Sequence, residues 1–332
     1  MGFNMQSLSA EDLYEKALVW DMVWPWEPWA GNDLRDLARL ARNGYACVSI
    51  TVAGDNHDIG EAIERVAFVR RSLCAFPEFM LIESVRDITV ARSLNKLAVS
   101  MHFEGTRCFG RNLDVIETFY KLGVRHTLLA FNSSNSSGGG CAEEADGGLT
   151  RFGRRVIAEM SRVGMLLDLS HTGYRTTMDA MEVSDRPVMF SHSNVAALCP
   201  SFRNLRDDQI AACVETGGVV GISGSSSYLG DMDCRIETVF KHIDYIVQRH
   251  GPDHAALGLD LVFNHESVTA WARDRPDEWP MVKDSNWPGF RYVQPESVHE
   301  LVGVMLAHGY DEMSIRKILG ENHVRVCEQV WK

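Results

Sequence analysis

The chain has no long apolar run and no excess of positive charge, and each absence excludes a class of protein. No stretch of its 332 residues approaches the roughly 18 consecutive apolar residues that a membrane span requires. The 45 Asp and Glu residues outnumber the 33 Lys and Arg residues, which gives a formal net charge of −12. A protein that binds nucleic acid electrostatically needs a basic surface to displace counterions from phosphates. We therefore expect neither a membrane nor nucleic acid as a partner.

A disulfide framework and an export signal are also missing. The eight cysteines are scattered, without a CxxC pair or a regular spacing. In a chain of this size that pattern predicts reduced, mostly buried thiols. The first 16 residues are polar and lack the basic patch and apolar run of a secretory signal. The sequence therefore predicts a cytoplasmic protein.

Short apolar runs alternate with amphipathic runs along the whole chain. The apolar runs are nearly uninterrupted, which is typical of parallel strands buried on both faces; there are eight, at residues 17–23, 46–52, 97–103, 124–131, 164–169, 187–190, 218–222 and 255–259. Between them, apolar positions three and four apart predict helices, for example at residues 34–42, 59–75, 113–122, 152–162, 176–183, 207–216 and 236–249. Eight strands, each followed by a helix, predict an α/β fold of the (β/α)₈ (TIM) barrel type, as one domain over residues 1–332 with a C-terminal helix.

A doubly wound open sheet is the main alternative to the barrel. That fold would carry a GxGxxG turn after its first strand, whereas residues 21–26 read DMVWPW. The barrel is therefore favoured. Two irregular regions, residues 132–148 and 263–295, follow the predicted fourth and eighth strands. Both should lie on the C-terminal face of the barrel, where barrel enzymes carry their active sites.

Four side chains that can bind a metal ion end predicted strands: Glu104, His171, His192 and Asp260. Because the strands are parallel, all four should lie at the same end of the barrel. Two imidazoles with carboxylates form a common catalytic zinc set that leaves one position for water. Zinc would lower the pKa of that water, and Asp260 could transfer its proton to a leaving amine. A single His at the end of a strand is more often structural. The combination of two His residues with a Glu and an Asp, all at strand ends, is what predicts a metal site.

Longer motifs make this pattern more specific. Residues 147–172 read GGLTRFGRRVIAEMSRVGMLLDLSHT, residues 186–210 read RPVMFSHSNVAALCPSFRNLRDDQI, and residues 320–331 read GENHVRVCEQVW. Together with HFEG at residues 102–105 and ALGLDL at residues 256–261, most of the chain resembles the membrane (renal) dipeptidase family of the amidohydrolase superfamily. The resemblance implies a zinc-dependent hydrolase that cleaves a dipeptide or a related small amide. It also suggests a homodimer.

The resemblance implies a role for five of these residues. Glu104 would be the carboxylate that bridges two zinc ions in the family, and His171 and His192 would complete the second zinc position. Asp260 would act beside the first zinc and in proton transfer. Arg203 would bind the carboxylate of the substrate, a task suited to a bidentate guanidinium.

The sequence departs from the family at three functional positions. The family has Asp-Gly-His-x-Asp at the end of strand one, where residues 21–25 here read DMVWP. Neither Val23 nor Pro25 can bind a metal. The His that ends strand four in the family is replaced by Phe131, and the adjacent Asn132 is a candidate for binding the substrate. We therefore expect at most one tightly bound zinc ion, at the second position, and a weak or empty first position.

Two neighbouring features leave alternatives open. The pair His57-Asp58 follows strand two and could replace the missing ligands, although an exposed pair of this kind is usually solvated. Four tryptophans crowd the region of the missing ligands: Trp20, Trp24, Trp26 and Trp29. They would either pack in the core and at the barrel mouth or form an aromatic wall that attracts a cationic amine.

Three functions are consistent with the sequence. The first is a metal-dependent amide hydrolase acting on a small dipeptide-like substrate. The second is a metal-poor pseudoenzyme or binding protein on the same barrel, and the third is a lyase or isomerase of a small metabolite. Metal content separates the first function from the second, and a panel of dipeptides separates the first from the third.

Overall fold

The computed structural model describes residues 9–26 and 33–332. In this part of the chain the strands are β1 (Val19–Pro25), β2 (Tyr45–Gly54), β3 (Phe79–Leu81), β4 (Leu97–Glu104), β5 (Val124–Leu128), β6 (Leu166–Asp168), β7 (Met189–Phe190), β8 (Val219–Ile222) and β9 (Ala255–Leu257). The helices are α1 (Ala10–Lys16), α2 (Leu37–Arg42), α3 (Ile59–Leu73), α4 (Val85–Ser93), α5 (Asp114–Lys121), α6 (Arg151–Val163), α7 (Tyr174–Val183), α8 (Asp207–Glu215), α9 (Ser226–Leu229), α10 (Ile236–His250), α11 (His265–Arg273), α12 (Val298–Ala307), α13 (Glu312–Arg316) and α14 (Asn322–Val330).

Eight of the strands form a nearly closed parallel barrel. The order is β1-β2-β4-β5-β6-β7-β8-β9, and the short β3 pairs with β4 outside this path. A side chain bridges the seam between the first and last strands, because the buried Asp21 accepts hydrogen bonds from the Val23 and Leu259 N–H groups at 3.0 and 2.9 Å. The predicted (β/α)₈ barrel is confirmed.

The apolar core explains why the strand sequences are almost uninterrupted. All eight residues of β4 are buried, because one side of the strand faces the barrel interior and the other faces the surrounding helices. One apolar cluster gathers side chains from the first residues of several strands, including Leu166, Met189 and Val219, around Val326 and Cys327 of α14. The predicted C-terminal helix therefore packs against the N-terminal end of the barrel.

The sequence pattern did not indicate the strand β3 or six of the helices, which are α1, α4, α9, α11, α12 and α13; of these, α11 lies within the predicted irregular region 263–295. The strand β3 has three residues, too few to form a recognisable apolar run, and α4 follows directly after it. All eight cysteines are free thiols, and four of them are buried. None of the helices in the described ranges is long and apolar enough to cross a membrane.

The tryptophans near the end of β1 contact different partners. Trp20 is fully buried and packs edge-on against His323 and Trp331. Trp24 packs against Phe263, and Trp26 stacks on Phe68 with ring centroids 5.4 Å apart. Trp29 lies outside the described residues. The three described tryptophans therefore do not form one aromatic wall, and their contacts support the packing interpretation.

Candidate metal centre

The C-terminal ends of β4, β6 and β7 bring together three of the predicted metal ligands. Three buried side chains each place one potential ligand atom within 4.8 Å of the other two: Glu104, His171 and His192. Within residues 9–26 and 33–332, no other three His, Cys, Asp or Glu side chains bring ligand atoms this close together. Glu104 ends β4 itself, whereas His171 and His192 lie three and two residues beyond their strands.

The backbone is strained at three points around this site. Asn132, His171 and Asp260 have φ angles of 55°, 60° and 57°. Residues other than glycine rarely adopt this left-handed conformation because Cβ crowds the backbone. Gly258 allows a further close approach, since a Cβ there would clash with the carbonyl oxygen of Ser191. Strain of this kind persists mostly at functional sites, where it aims side chains that the regular strand would direct elsewhere.

Hydrogen bonds orient both imidazoles towards the centre of the site. His171 Nδ1 lies 2.7 Å from Asn132 Oδ1, and His192 Nδ1 lies 2.7 Å from Ser191 Oγ. An amide oxygen only accepts, so His171 carries its proton on Nδ1 and presents the lone pair of Nε2. The two Nε2 atoms are 2.8 Å apart, and the Glu104 carboxylate is 4.0 Å from His192 Nε2.

The protonation state of the two imidazoles suits metal binding. Burial, reinforced by the charge of Arg203, lowers the pKa of His171 and of His192 well below the usual range, so both imidazoles are neutral. With Ser191 accepting from His192 Nδ1, two lone pairs would face each other, an arrangement that a shared cation satisfies. Two neutral imidazoles and a carboxylate are a three-ligand zinc set, and these residues therefore fit one metal ion.

The residues at the end of β1 do not add a second donor set. Val23 packs in the apolar cluster with Trp20 and Met22, and neither Val23 nor Pro25 has a ligand atom. The alternative ligands after β2 have local roles. Asp58 caps α3 by accepting from the Gly60 and Glu61 N–H groups, and His57 Nδ1 accepts from the Gly54 N–H group.

Asp260 lies beyond β9 on the same barrel face, and it does not join the group of three ligands. Burial raises the pKa of its carboxyl to about 7, while the positive charge of Arg203 acts in the opposite direction. The negative charge of Asp260 in turn contributes to raising the pKa values of Tyr228 and Tyr292. The charge of Arg203 therefore acts on Asp260, whose carboxyl can bind a proton near neutral pH. Its role as a metal ligand stays a prediction.

Arg203 is buried next to His192. Its Nη1 donates to Ser193 Oγ at 2.7 Å, and its Nη2 donates to the carbonyl oxygen of His192 at 2.6 Å. Its Nε is buried and has no hydrogen-bond partner among the described residues. The guanidinium thus binds the backbone of the candidate ligand His192 and keeps N–H donors for a further acceptor. Its predicted contact with a substrate carboxylate remains a prediction.

Asn132 has a positioning role that the sequence did not reveal. Its Oδ1 bonds to His171 Nδ1 and accepts a weak hydrogen bond from Cys141 Sγ at 3.2 Å. Its Nδ2 is buried without a partner in the part of the chain that the structure describes. Asn132 Nδ2 is therefore the donor that is available for the predicted contact with the substrate. The sequence showed only an asparagine after a strand, which by itself does not identify a partner.

Removing the Asn132 side chain should weaken metal binding. We expect Asn132→Gly to lower zinc affinity about 10- to 100-fold, because His171 loses the acceptor that fixes its tautomer. Glycine accepts the left-handed backbone without strain, so folding should be retained. Competition with a chromophoric chelator measures the zinc Kd. Asn132→Asp retains an acceptor and serves as the control; unchanged zinc affinity in Asn132→Gly would disprove the positioning role.

Two cavities adjoin the three ligands. A cavity of about 470 Å³ reaches Glu104 and is bordered by Phe131 and Trp271, and a second of about 410 Å³ reaches His171 and Arg203. The Phe131 ring stacks on His171 with centroids 4.2 Å apart. Trp279, from the segment after β9, packs edge-on against both rings. The aromatic side chains therefore cover one face of the His171 ring.

Comparison with known proteins adds independent information. Residues 31–268 match the family described as membrane dipeptidase (peptidase family M19). A Klebsiella pneumoniae protein described as an uncharacterized protein in the pqqA 5' region is 31% identical over 75% of this chain and 88% of its own length. Mouse Dipeptidase 3 is 30% identical over 83% of this chain, which spans about half (52%) of that relative.

Solved structures share the whole barrel. An amidohydrolase from Pseudomonas aeruginosa matches with a TM-score of 0.89 at 25% identity, over 98% of this chain and 99% of that one. A metallopeptidase from Rhodobacter sphaeroides, solved with a phosphinate mimic of the dipeptide L-Ala-D-Ala, matches with a TM-score of 0.76 at 23% identity, over 95% and 99%. At 23% identity, the match to the Rhodobacter sphaeroides structure shows a shared fold only.

Proposed function

Because the chain belongs to the membrane dipeptidase family (peptidase family M19), we propose that it is a zinc-dependent, dipeptidase-like hydrolase with a single metal position. The observation that carries the proposal is the buried group formed by Glu104, His171 and His192, whose ligand atoms lie within 4.8 Å of one another. The substrate would be a dipeptide or a related small amide. The fold and the family support hydrolysis, and the donor set supports the metal.

Each residue around the ligands would contribute separately. A metal ion held by the three ligands would supply Lewis acidity for activating water and polarising a carbonyl. Asp260 would accept the proton of the attacking water and pass it to the leaving amine. Asn132 Nδ2, a buried donor without a partner among the described residues, would bind the substrate carbonyl. Phe131 cannot donate a hydrogen bond to that oxygen, and its ring instead stacks on His171.

The two cavities give the substrate an orientation. Arg203 borders the cavity on the His171 side, where it would bind the C-terminal carboxylate of a dipeptide. The cavity on the Glu104 side would then receive the acyl part, on the other side of the scissile amide. The scissile carbonyl would lie between them, next to the three ligands.

The experiment that tests this function is hydrolysis of a panel of dipeptides and N-acyl amino acids by the zinc-loaded protein. We expect weak turnover of ordinary L-L dipeptides, because each missing electrostatic contribution can be worth about 3–4 kcal/mol in the transition state. Turnover of the preferred small amide should disappear with a chelator and return with zinc. Full zinc loading without hydrolysis of any compound would contradict the proposal and favour a binding protein on the same barrel.

Arg203→Lys should raise KM for the preferred substrate about tenfold or more while changing kcat little, because an ammonium group cannot make the paired contact to a carboxylate. Steady-state kinetics measures the effect, and thermal unfolding checks the fold. Arg206→Lys is the matched control, since Arg206 borders the same cavity and stacks on Tyr174. An unchanged KM on every active substrate would exclude the role of Arg203 in binding.

A further inference from the structure

Three arginines border the cavity that reaches Glu104. Arg107 and Arg111 follow β4, and Arg275 lies two residues after α11. All three are exposed to solvent in that cavity. They come from two segments far apart in the sequence, so no basic cluster is visible in the sequence itself. Folding therefore brings three guanidinium groups into one cavity beside the ligands, together with the carboxylates of Asp55, Glu104 and Glu278.

The acidic groups of the same cavity are largely committed to other partners. Asp55 Oδ1 accepts from the Arg107 N–H group at 2.9 Å. Asp55 Oδ2 accepts from the Phe131 N–H group at 3.0 Å and from Asn135 Nδ2 at 2.9 Å. Burial raises the pKa of Asp55 to about 6 despite these bonds. Glu104 belongs to the candidate metal ligands, and Asp55, whose negative charge acts on Arg107, is held by these N–H donors.

The arginines differ in how they are held. Among the described residues, the Arg107 and Arg111 guanidinium groups form no ion pair, and Arg107 Nη1 donates to the Asp55 carbonyl oxygen at 3.3 Å. Arg275 lies over the Trp271 ring at 4.7 Å and donates to the Trp271 carbonyl oxygen. Burial raises the pKa of Glu278, and the charge of Arg275 opposes this effect. Arg107 and Arg111 therefore keep guanidinium N–H groups that can donate to a ligand.

We propose that the substrate carries a negative charge in its acyl part, as in a dipeptide with an acidic N-terminal residue or an amide of a dicarboxylic acid. The orientation rests on the proposed function, in which Arg203 binds the C-terminal carboxylate on the other side. The acyl carboxylate would meet Arg107 and Arg111, and its methylene groups would pack on Phe131 and Trp271. A single exposed ion pair contributes little, but two guanidinium groups that border the same cavity would both donate charge-assisted hydrogen bonds to one carboxylate.

Calorimetry with two matched ligands tests the proposal. The probes are analogues of Glu-Ala and Gln-Ala in which a CH2–NH group replaces the peptide bond, so neither can be hydrolysed by the zinc-loaded protein. We expect the Glu analogue to bind about tenfold more tightly than the Gln analogue. The preference should shrink in 0.5 M salt, because solvent-exposed charges are screened.

The double variant Arg107→Ala/Arg111→Ala should bring the ratio of the two Kd values close to one. Arg71→Ala, an exposed arginine on α3 outside this cavity, should leave the ratio unchanged. Equal binding of the two analogues, binding of neither, or a preference that survives the double variant would overturn the proposal. Hydrolysis is measured separately, so a charge preference without turnover on any substrate would count against the hydrolase and not against the binding preference.

Discussion

His192→Ala should lower the zinc content from about one equivalent to below about 0.1 per chain, and kcat/KM should fall at least about 1000-fold. His192 is the central member of the ligand group, with its Nε2 2.8 Å from His171 Nε2 and 4.0 Å from the Glu104 carboxylate. Without it, only one imidazole and one carboxylate remain. Two ligands bind zinc far more weakly than three, because each lost ligand removes direct coordination energy.

Elemental analysis and steady-state kinetics measure the two effects. Burial keeps the His192 imidazole neutral, so its removal leaves no unpaired buried charge and the fold should survive. His299→Ala is the matched control, since His299 is exposed on α12 and contacts Tyr14. A His192→Ala protein that retains its zinc and its activity would show that the metal site has been assigned to the wrong residues.

Asp260→Asn should reduce kcat about 100- to 10,000-fold with a smaller effect on KM, because the amide cannot accept a proton. The wild-type pH profile should reveal the same group. Burial raises the pKa of Asp260 to about 7, so the protonated, inactive form predominates below that pH. We therefore expect kcat/KM to rise about tenfold per pH unit on the acidic side and to level off above about pH 7.

The residual kcat/KM of Asp260→Asn should not show this rise with pH on the acidic side. Circular dichroism and thermal unfolding check that the variant folds, and zinc analysis shows whether Asp260 also contributes to metal binding. If Asp260→Asn keeps the wild-type kcat and the same pH profile, another group transfers the proton. Asp21, whose pKa burial also raises to about 7, would then be the next group to test, although both of its oxygens accept backbone hydrogen bonds.

The barrel and the convergence of three candidate ligands were predictable from sequence because the relevant signals are local. An uninterrupted apolar run indicates a strand with two buried faces, and parallel connections put all strand ends on one face. This logic located Glu104, His171 and His192 without coordinates. It could not show that His171 adopts a left-handed backbone conformation beyond the end of β6, because φ there depends on tertiary packing.

The contacts that were missed are non-local. Asn132 bonds to a side chain 39 positions away, and the arginines beside Glu104 come from segments more than 160 residues apart. Neither juxtaposition leaves a periodic pattern in the sequence. The tryptophan cluster illustrates the converse, because neighbours in sequence contact different partners in the fold: Trp20 contacts Trp331, whereas Trp26 contacts Phe68.

The number of zinc ions per chain tests the central claim most directly. Val23 and Pro25 offer no ligand atoms where the family has its first pair of ligands, while the three buried ligands fit one ion. Elemental analysis of the protein, after zinc loading and removal of loosely bound metal, should give about one equivalent per chain, with weak cleavage of ordinary L-L dipeptides. Two tightly bound equivalents together with efficient dipeptide cleavage would contradict the single-metal account.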